Sequence, residues 1–221
     1  MVATYLSVDL DFFDGDYPNG DRMLAGLLSK IKDLEIPVKV VMSHEGLVEH
    51  IRKLRSEFKF RRLINLDEHS DASGLFYQSI ERRVKGGPYS AKWVWKSGEE
   101  PHCGNWIDYT GPLMGKPSTY TWVIPPNSSG TDCRYYDEIV RWGWRRRQKR
   151  LCKPQDVEGA SRLVLPWSRI KACGIALSPD YVCRTRYWVL RDMVAKFFPL
   201  PRNCGVEEAK HNQLRRANES N

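Results

Sequence analysis

The stretch TYLSVDLDFF, residues 4–13, combines β-branched and aromatic side chains with alternating polarity. It is followed at once by DGDYPNGD, residues 14–21, which is rich in turn-forming residues. This pattern predicts a β-strand that ends in a loop. The elements predicted after this strand alternate between helix and strand.

Helical and strand patterns alternate after the first strand. The predicted elements are a helix at residues 23–34, a strand at 38–43, a helix at 45–58 and a strand at 61–67. Strands that alternate with helices are joined by right-handed crossovers and therefore lie parallel. The first third of the chain thus predicts an α/β fold with a mainly parallel sheet flanked by helices.

The rest of the chain has a less regular pattern. Residues 86–130 are rich in Gly, Pro, Ser and aromatic residues, as long functional loops often are. We expect a single domain over residues 1–204 and a polar tail over 205–221. The remaining predicted elements are strands at 119–124, 162–167 and 172–178, a Trp-rich basic helix at 133–150, and a helix at 186–198.

Charge and composition restrict the location and the partners of the protein. No apolar run approaches the roughly 18 residues that a membrane span needs, and no signal region precedes the first strand, so we expect a soluble, cytoplasmic protein. The six cysteines are scattered, without the spacing of a zinc site or a disulfide framework. The net charge of +8 favours a polyanion or an acidic peptide as partner. Part of this charge is the run RRRQKR, residues 145–150, expected on a solvated helix face or in contact with phosphates.

Metal-ligand side chains stand at the carboxyl ends of the first three predicted strands. They are Asp9 and Asp11, then His44, and then Asp67, His69 and Asp71. The carboxyl ends of parallel strands open onto one edge of a sheet, so four carboxylates and two imidazoles are expected to meet there. Either a lone D-x-D or a lone histidine is commonly a turn former or a satisfied polar group. Together they predict a centre with two divalent cations, which neutralise the crowded carboxylates. Oxygen-rich ligands with two imidazoles favour Mn²⁺, with zinc and iron left open.

These motifs resemble the signatures of the arginase-like ureohydrolases. DEHSD at residues 67–71 is similar to their D-x-H-x-D motif, SVDLDFFD at 7–14 to their S-x-D-x-D motif, and His44 stands upstream as their first histidine does. In ordinary arginases the S-x-D-x-D element follows D-x-H-x-D, whereas here it comes first. A circular permutation would leave the edge of the sheet intact, because the termini of such domains are often close together.

A narrower resemblance is to the peptide arginases, which convert arginine side chains of ribosomally made precursor peptides to ornithine. VDLDFF at residues 8–13, HCGNW at 102–106 and GIALSPDY at 174–181 are similar to this group. The likeness covers most of residues 4–107 and 172–182. It implies a three-layer arginase-like fold, two Mn²⁺ ions, and hydrolysis of a guanidino group to ornithine and urea. The implied partner is an arginine-containing precursor peptide, with an acidic leader as one explanation of the basic run.

The resemblance also implies roles for individual residues. Asp9 and Asp67 would bridge the two ions, while His44 and Asp71 would complete the ligands of one ion, and His69 and Asp11 those of the other. Asp71 would also carry a proton to the leaving amine.

Four further residues are weaker candidates. His102 is a candidate second proton carrier, although it precedes Gly-Asn where the family's histidine follows, and an ordinary loop histidine is an equal alternative. Asn105 is a candidate substrate ligand. Ser178 and Asp180 could hold the guanidinium, or could simply form a Ser-Pro-Asp turn.

Other functions stay open on the sequence alone. A phosphatase of the haloacid-dehalogenase type would use Asp9 and Asp11 as nucleophile and acid, but would leave His44 and the third motif without a role. A deacetylase of arginase-like fold would need only one metal. A nucleic-acid-binding protein would use the Trp-rich basic segment 141–150, but the chain has no recognised binding motif, and nucleic acid is the less favoured partner. The oligomeric state stays open.

Overall fold

The computed structural model describes most of the predicted sheet and the helices beside it. The described residues are 2–14, 20–69, 71, 106–115, 118–125, 146–151, 165–202 and 204. They form a six-stranded sheet in which every neighbouring pair of strands is parallel. The predicted α/β fold, with a parallel sheet flanked by helices, is confirmed.

The first strand lies in the middle of this sheet. In chain order the strands are β1 (Ala3–Asp9), β2 (Val38–Val41), β3 (Phe60–Leu66), β4 (Thr119–Ile124), β5 (Arg146–Leu151) and β6 (Ile170–Ala176). The helices are α1 (Gly20–Asp33), α2 (Glu45–Leu54), α3 (Trp106–Thr110) and α4 (Arg184–Ala195). The strand order is β2-β6-β1-β3-β4-β5, so β6, from late in the chain, separates β1 from β2.

Helices cover both faces of the sheet and give three layers. One face packs on α1 and α4, because α1 places Leu24, Leu27 and Leu28 on one side at helical spacing. Leu6 and Val8 of β1 belong to this apolar cluster. The other face packs on α2 and α3, and there Tyr5 of β1 belongs to the second cluster. Strand alternation thus sends successive β1 side chains into two different cores.

The basic run adopts a different structure from the predicted one. Residues 146–150 were predicted to be helical, and this is wrong: they lie in β5, which pairs with β4 from Thr119↔Arg146 to Ile124↔Leu151. Arg, Lys and Gln have high helix propensity. Backbone hydrogen bonds to β4 outweigh this preference and hold the run as a strand. Residues 133–145 of that predicted helix lie outside the described residues.

The other late predictions have mixed outcomes. The strand at 119–124 is confirmed, and the predicted strand at 172–178 and helix at 186–198 appear as β6 and α4. The predicted strand at 162–167 is wrong in its described part, where Pro166 precedes a 3-10 helix at Trp167–Arg169. Proline has no N–H to donate to a neighbouring strand. The proposed tail, 205–221, lies outside the described residues, and the helices within the described ranges lack the length and apolar character needed to cross a membrane.

Close packing between β6 and α2 depends on Gly174. A Cβ atom at this position would lie 2.5 Å from Leu47 Cδ2 and 2.6 Å from the Tyr5 hydroxyl oxygen. We expect Gly174→Ala to destabilise the protein by about 1–3 kcal/mol, because Leu47 of α2 and the Tyr5 ring would both have to move away from β6. Urea unfolding measures this loss. The matched control is Gly115→Ala, where the nearest atoms lie at 3.4 Å, and an equal effect at both positions would contradict the packing argument.

Candidate metal centre

The candidate ligands gather at the carboxyl edge of the sheet because β1, β2 and β3 all end there. Asp9 is the last residue of β1, and Asp67 directly follows the neighbouring β3. His44 lies between β2 and α2. Asp11 is not a strand residue, as the sequence pattern had suggested, but lies in a 3-10 helix at Leu10–Phe13. Asp9 Oδ1 accepts a hydrogen bond from the Asp11 N–H at 3.0 Å, which turns the chain at this edge.

Asp9, His44 and Asp67 form the first group of side chains that could hold a metal ion. His44 Nδ1 lies 3.2 Å from Asp9 Oδ2, and His44 Nε2 lies 3.9 Å from Asp67 Oδ2. All three side chains are buried. The buried Nε2 atom of His44 has no hydrogen-bond partner among the described residues. A buried ring nitrogen without a partner, beside two carboxylates, fits a divalent cation.

Asp11, Asp67 and His69 form the second group. His69 Nδ1 lies 2.7 Å from Asp11 Oδ2 and 3.9 Å from Asp67 Oδ1. This group is closer to solvent, since 39% of the His69 side chain is exposed. Asp67 belongs to both groups, with Oδ2 towards the first and Oδ1 towards the second. A carboxylate placed in this way can bridge two ions.

Asp67 is held in place by three neighbours. Asn65 Nδ2 donates to Asp67 Oδ2 at 2.9 Å, and the His69 N–H donates to Asp67 Oδ1 at 2.7 Å. The indole N–H of Trp122 donates to the Asp67 carbonyl oxygen at 3.0 Å. Neither Asn65 nor Trp122 was identified as a site residue from the sequence. Asn65 could have been found, because it lies two residues before Asp67 and strand alternation puts both on one face.

Asp71 lies beside the first group. Its backbone is left-handed, with φ of 50°, which aspartate adopts more easily than most residues. Asp71 Oδ2 lies 2.9 Å from His44 Nδ1 and accepts a hydrogen bond from the Trp106 indole N–H at 2.5 Å. The structure therefore brings Asp71 together with the other five candidate ligands.

The metal-free cluster retains protons that a cation would displace. Burial, with the charge of Asp11, raises the pKa of Asp9 to about 8, and burial together with neighbouring carboxylates raises the pKa of Asp67 well above its usual value. Burial alone would lower the pKa of His44, but the charges of Asp71 and Asp9 outweigh it and raise this pKa to about 9. The hydrogen bond to Asp11 raises the pKa of His69 to about 9. Since metal ligands must be deprotonated, a bound cation would replace these protons. The buried Asp and His groups can hold a metal ion.

The weaker candidates fall in different places. Ser178 is buried, and its hydroxyl donates to Asp9 Oδ2 at 2.6 Å, so it contacts a candidate metal ligand. Asp180, two residues further on, is exposed. His102 and Asn105 lie outside the described residues, as do residues 141–145 of the segment considered for nucleic acid.

Removing the Ser178 hydroxyl separates two possible roles of this residue. If Ser178 holds Asp9 in position, Ser178→Ala should weaken metal binding by about tenfold, because a partner that orients a ligand typically contributes that much. Isothermal titration with Mn²⁺ measures the change. Ser43→Ala is the matched control, since its hydroxyl donates to Glu45 on the surface. A higher KM with unchanged metal affinity would assign Ser178 to the substrate instead.

Comparison with known protein families, with curated proteins and with solved structures finds no match to this chain. The geometry of the site and the sequence motifs therefore carry the functional argument.

Proposed function

We propose that this protein is a dinuclear-metal hydrolase that converts arginine residues of a precursor peptide to ornithine and releases urea. The observation that carries the proposal is the pair of Asp/His groups that share Asp67. A phosphatase that uses only Asp9 and Asp11 would not require His44, His69 and Asp67 at the same edge. The motif resemblance to peptide arginases supplies the reaction.

Two Mn²⁺ ions fit this ligand set best, because carboxylate oxygens outnumber imidazole nitrogens and no thiolate takes part. Asp9, His44 and Asp71 would hold one ion, Asp11 and His69 the other, and Asp67 would serve both, with Asp9 as a second bridge. Divalent ions held by these residues would lower the pKa of a bound water molecule towards neutrality.

The side chains around this place favour a guanidinium substrate. The four carboxylates of Asp9, Asp11, Asp67 and Asp71 balance the charge of two divalent ions, so a cationic side chain would not be repelled. Guanidinium stays protonated at working pH, which leaves its carbon electrophilic. The departing amine needs a proton, and Asp71 is the candidate carrier because its carboxylate lies at the side of the cluster, next to His44.

An aromatic side chain lies at the more open half of the site. The Tyr181 ring lies 5.2 Å from the His69 ring, and half of Tyr181 is exposed. Aromatic faces attract guanidinium groups, so Tyr181 is suited to guide an arginine side chain towards the cluster. The net charge of +8 is a separate observation. It favours a peptide with an acidic leader as the partner, because opposite charges attract. We place the enzyme in the cytoplasm, which agrees with Cys173 and Cys183 being free thiols within the part of the chain that the structure describes.

Mass spectrometry of a peptide tests the proposal. The protein is stripped of metal, reloaded with Mn²⁺ and incubated with an arginine-containing peptide, whose mass should fall by about 42 Da per arginine as water adds and urea leaves. The same peptide with lysine in place of arginine is the control and should keep its mass. Unchanged mass for several arginine peptides and for free arginine, with Mn²⁺ bound, would exclude this function.

A further inference from the structure

Trp106 touches two of the candidate ligands through two different parts of its ring system. Its ring plane stacks on His44, with centroids 4.8 Å apart and planes inclined by 5°. Its indole N–H donates to Asp71 Oδ2 at 2.5 Å. The side chain is fully buried. Nothing in the sequence motifs had assigned it a role.

Both contacts fall on the same half of the metal centre. His44 and Asp71 also touch each other, with His44 Nδ1 2.9 Å from Asp71 Oδ2, so Trp106 closes a three-membered set of contacts. Among the contacts described for Asp11 and His69, none is to Trp106. Instead, His69 forms a hydrogen bond with Asp11, and its ring packs at a tilt against the Tyr181 ring. The two halves therefore have separate supports.

Each contact restricts the movement of a different side chain. Stacking fixes the plane of the His44 imidazole, and this matters because the ring reaches both Asp9 and Asp67. The hydrogen bond fixes the Asp71 carboxylate, whose backbone is in the less favourable left-handed region, with φ of 50°. Trp106 is the first residue of α3, which packs against α2. The packing of these two helices therefore holds the Trp106 ring in place.

We infer that Trp106 is a positioning residue for one of two metal sites, the one formed by Asp9, His44 and Asp71, and does little for the other. This inference rests on the dinuclear centre of the proposed function. Partners that orient metal ligands are typically worth 10–100-fold in affinity. The loss should therefore fall on one ion of the pair.

The experiment compares Trp106→Phe with Trp188→Phe. Phenylalanine keeps a ring for stacking but has no N–H, and Trp188 is an exposed tryptophan on α4 whose ring contacts Arg191. We expect Trp106→Phe to weaken one of two Mn²⁺ binding steps by about tenfold or more and to change the other less than about threefold. Trp188→Phe should leave both steps unchanged.

Electron paramagnetic resonance provides a readout that a general loss of stability would not reproduce. With two equivalents of Mn²⁺, the unsubstituted protein should show a spin-coupled pair, and Trp106→Phe should show a single-ion signal at the same concentration. Circular dichroism of the metal-free variants checks that both are folded. Two unchanged binding steps in Trp106→Phe, or equal weakening of both, would overturn the inference. If the unsubstituted protein bound no Mn²⁺ pair, the proposed centre itself would fall, and this result is distinct from the other two.

Discussion

Asp67→Asn should abolish binding of both metal ions and lower kcat/KM by on the order of a thousandfold, more than the 10–100-fold typical of a residue that only supports a ligand. Asp67 is the side chain common to both Asp/His groups, so its loss cannot be confined to one ion. The metal-free fold should tolerate the change. Asn65 Oδ1 has no hydrogen-bond partner among the described residues, so the Asn65 amide can turn over and accept from the new amide.

Thermal unfolding with and without Mn²⁺ measures both parts of this prediction. At about 100 times its dissociation constant, an ion that binds only the folded state adds about 2.7 kcal/mol, which should raise the Tm of the unsubstituted protein by several degrees. Asp67→Asn should show no such rise while keeping its metal-free Tm. Glu57→Gln, at an exposed carboxylate, is the control and should respond to Mn²⁺ normally. A normal metal response in Asp67→Asn would remove Asp67 from the centre.

Mn²⁺ affinity should rise by at least about a hundredfold between pH 6 and pH 8, since each proton released contributes about tenfold per pH unit. The pKa of Asp9 is raised to about 8, and those of His44 and His69 to about 9, so all three retain protons over this range. The stability of the metal-free fold should change in the opposite direction. Because these pKa values lie above the ordinary 3.8 of Asp and 6.5 of His, the stability they contribute is fully present below those values and is lost as the pH rises through about 8 and 9.

Titration calorimetry in buffers of different ionisation enthalpy counts the released protons directly. We expect about three or four per pair of ions at pH 7, because the pKa of Asp67 is raised as well as those of Asp9, His44 and His69. Asp9→Asn removes one of the titrating groups and should release about one proton fewer. An affinity that stays flat from pH 6 to pH 8 would contradict the electrostatic description of the cluster.

The central sheet and its candidate ligands could be predicted because their signals are local. Strand alternation and the helix at 23–34 are periodic patterns, and Asp9, His44 and Asp67 each stand at the end of such a pattern. The place of Asp11 in a 3-10 turn was missed, because D-x-D reads equally well as a strand and as a capped turn. The hydrogen bond of Asp9 Oδ1 to the Asp11 N–H decides between these two alternatives.

The remaining features depend on contacts between distant parts of the chain. The run at 146–150 forms a strand because β4 lies beside it, and no property of the run itself indicates this. Trp106 lies 35 residues from Asp71 along the chain, and Ser178 lies 169 residues from Asp9, so spacing could not pair them. The sequence left Ser178 either as a guanidinium contact or as part of a Ser-Pro-Asp turn, because its hydrogen bond to Asp9 depends on the fold.

The position of β6 between β1 and β2 sets a constraint on synthesis of the protein. During translation, Asp9, His44 and Asp67 leave the ribosome early, yet the strand that separates β1 from β2 emerges about a hundred residues later. Until then the nascent polypeptide cannot set His44 at its final distance from Asp9. A metal ion held at this edge would therefore bind only after β6 has emerged, and a product terminated before residue 170 would carry the motifs without the assembled ligand set.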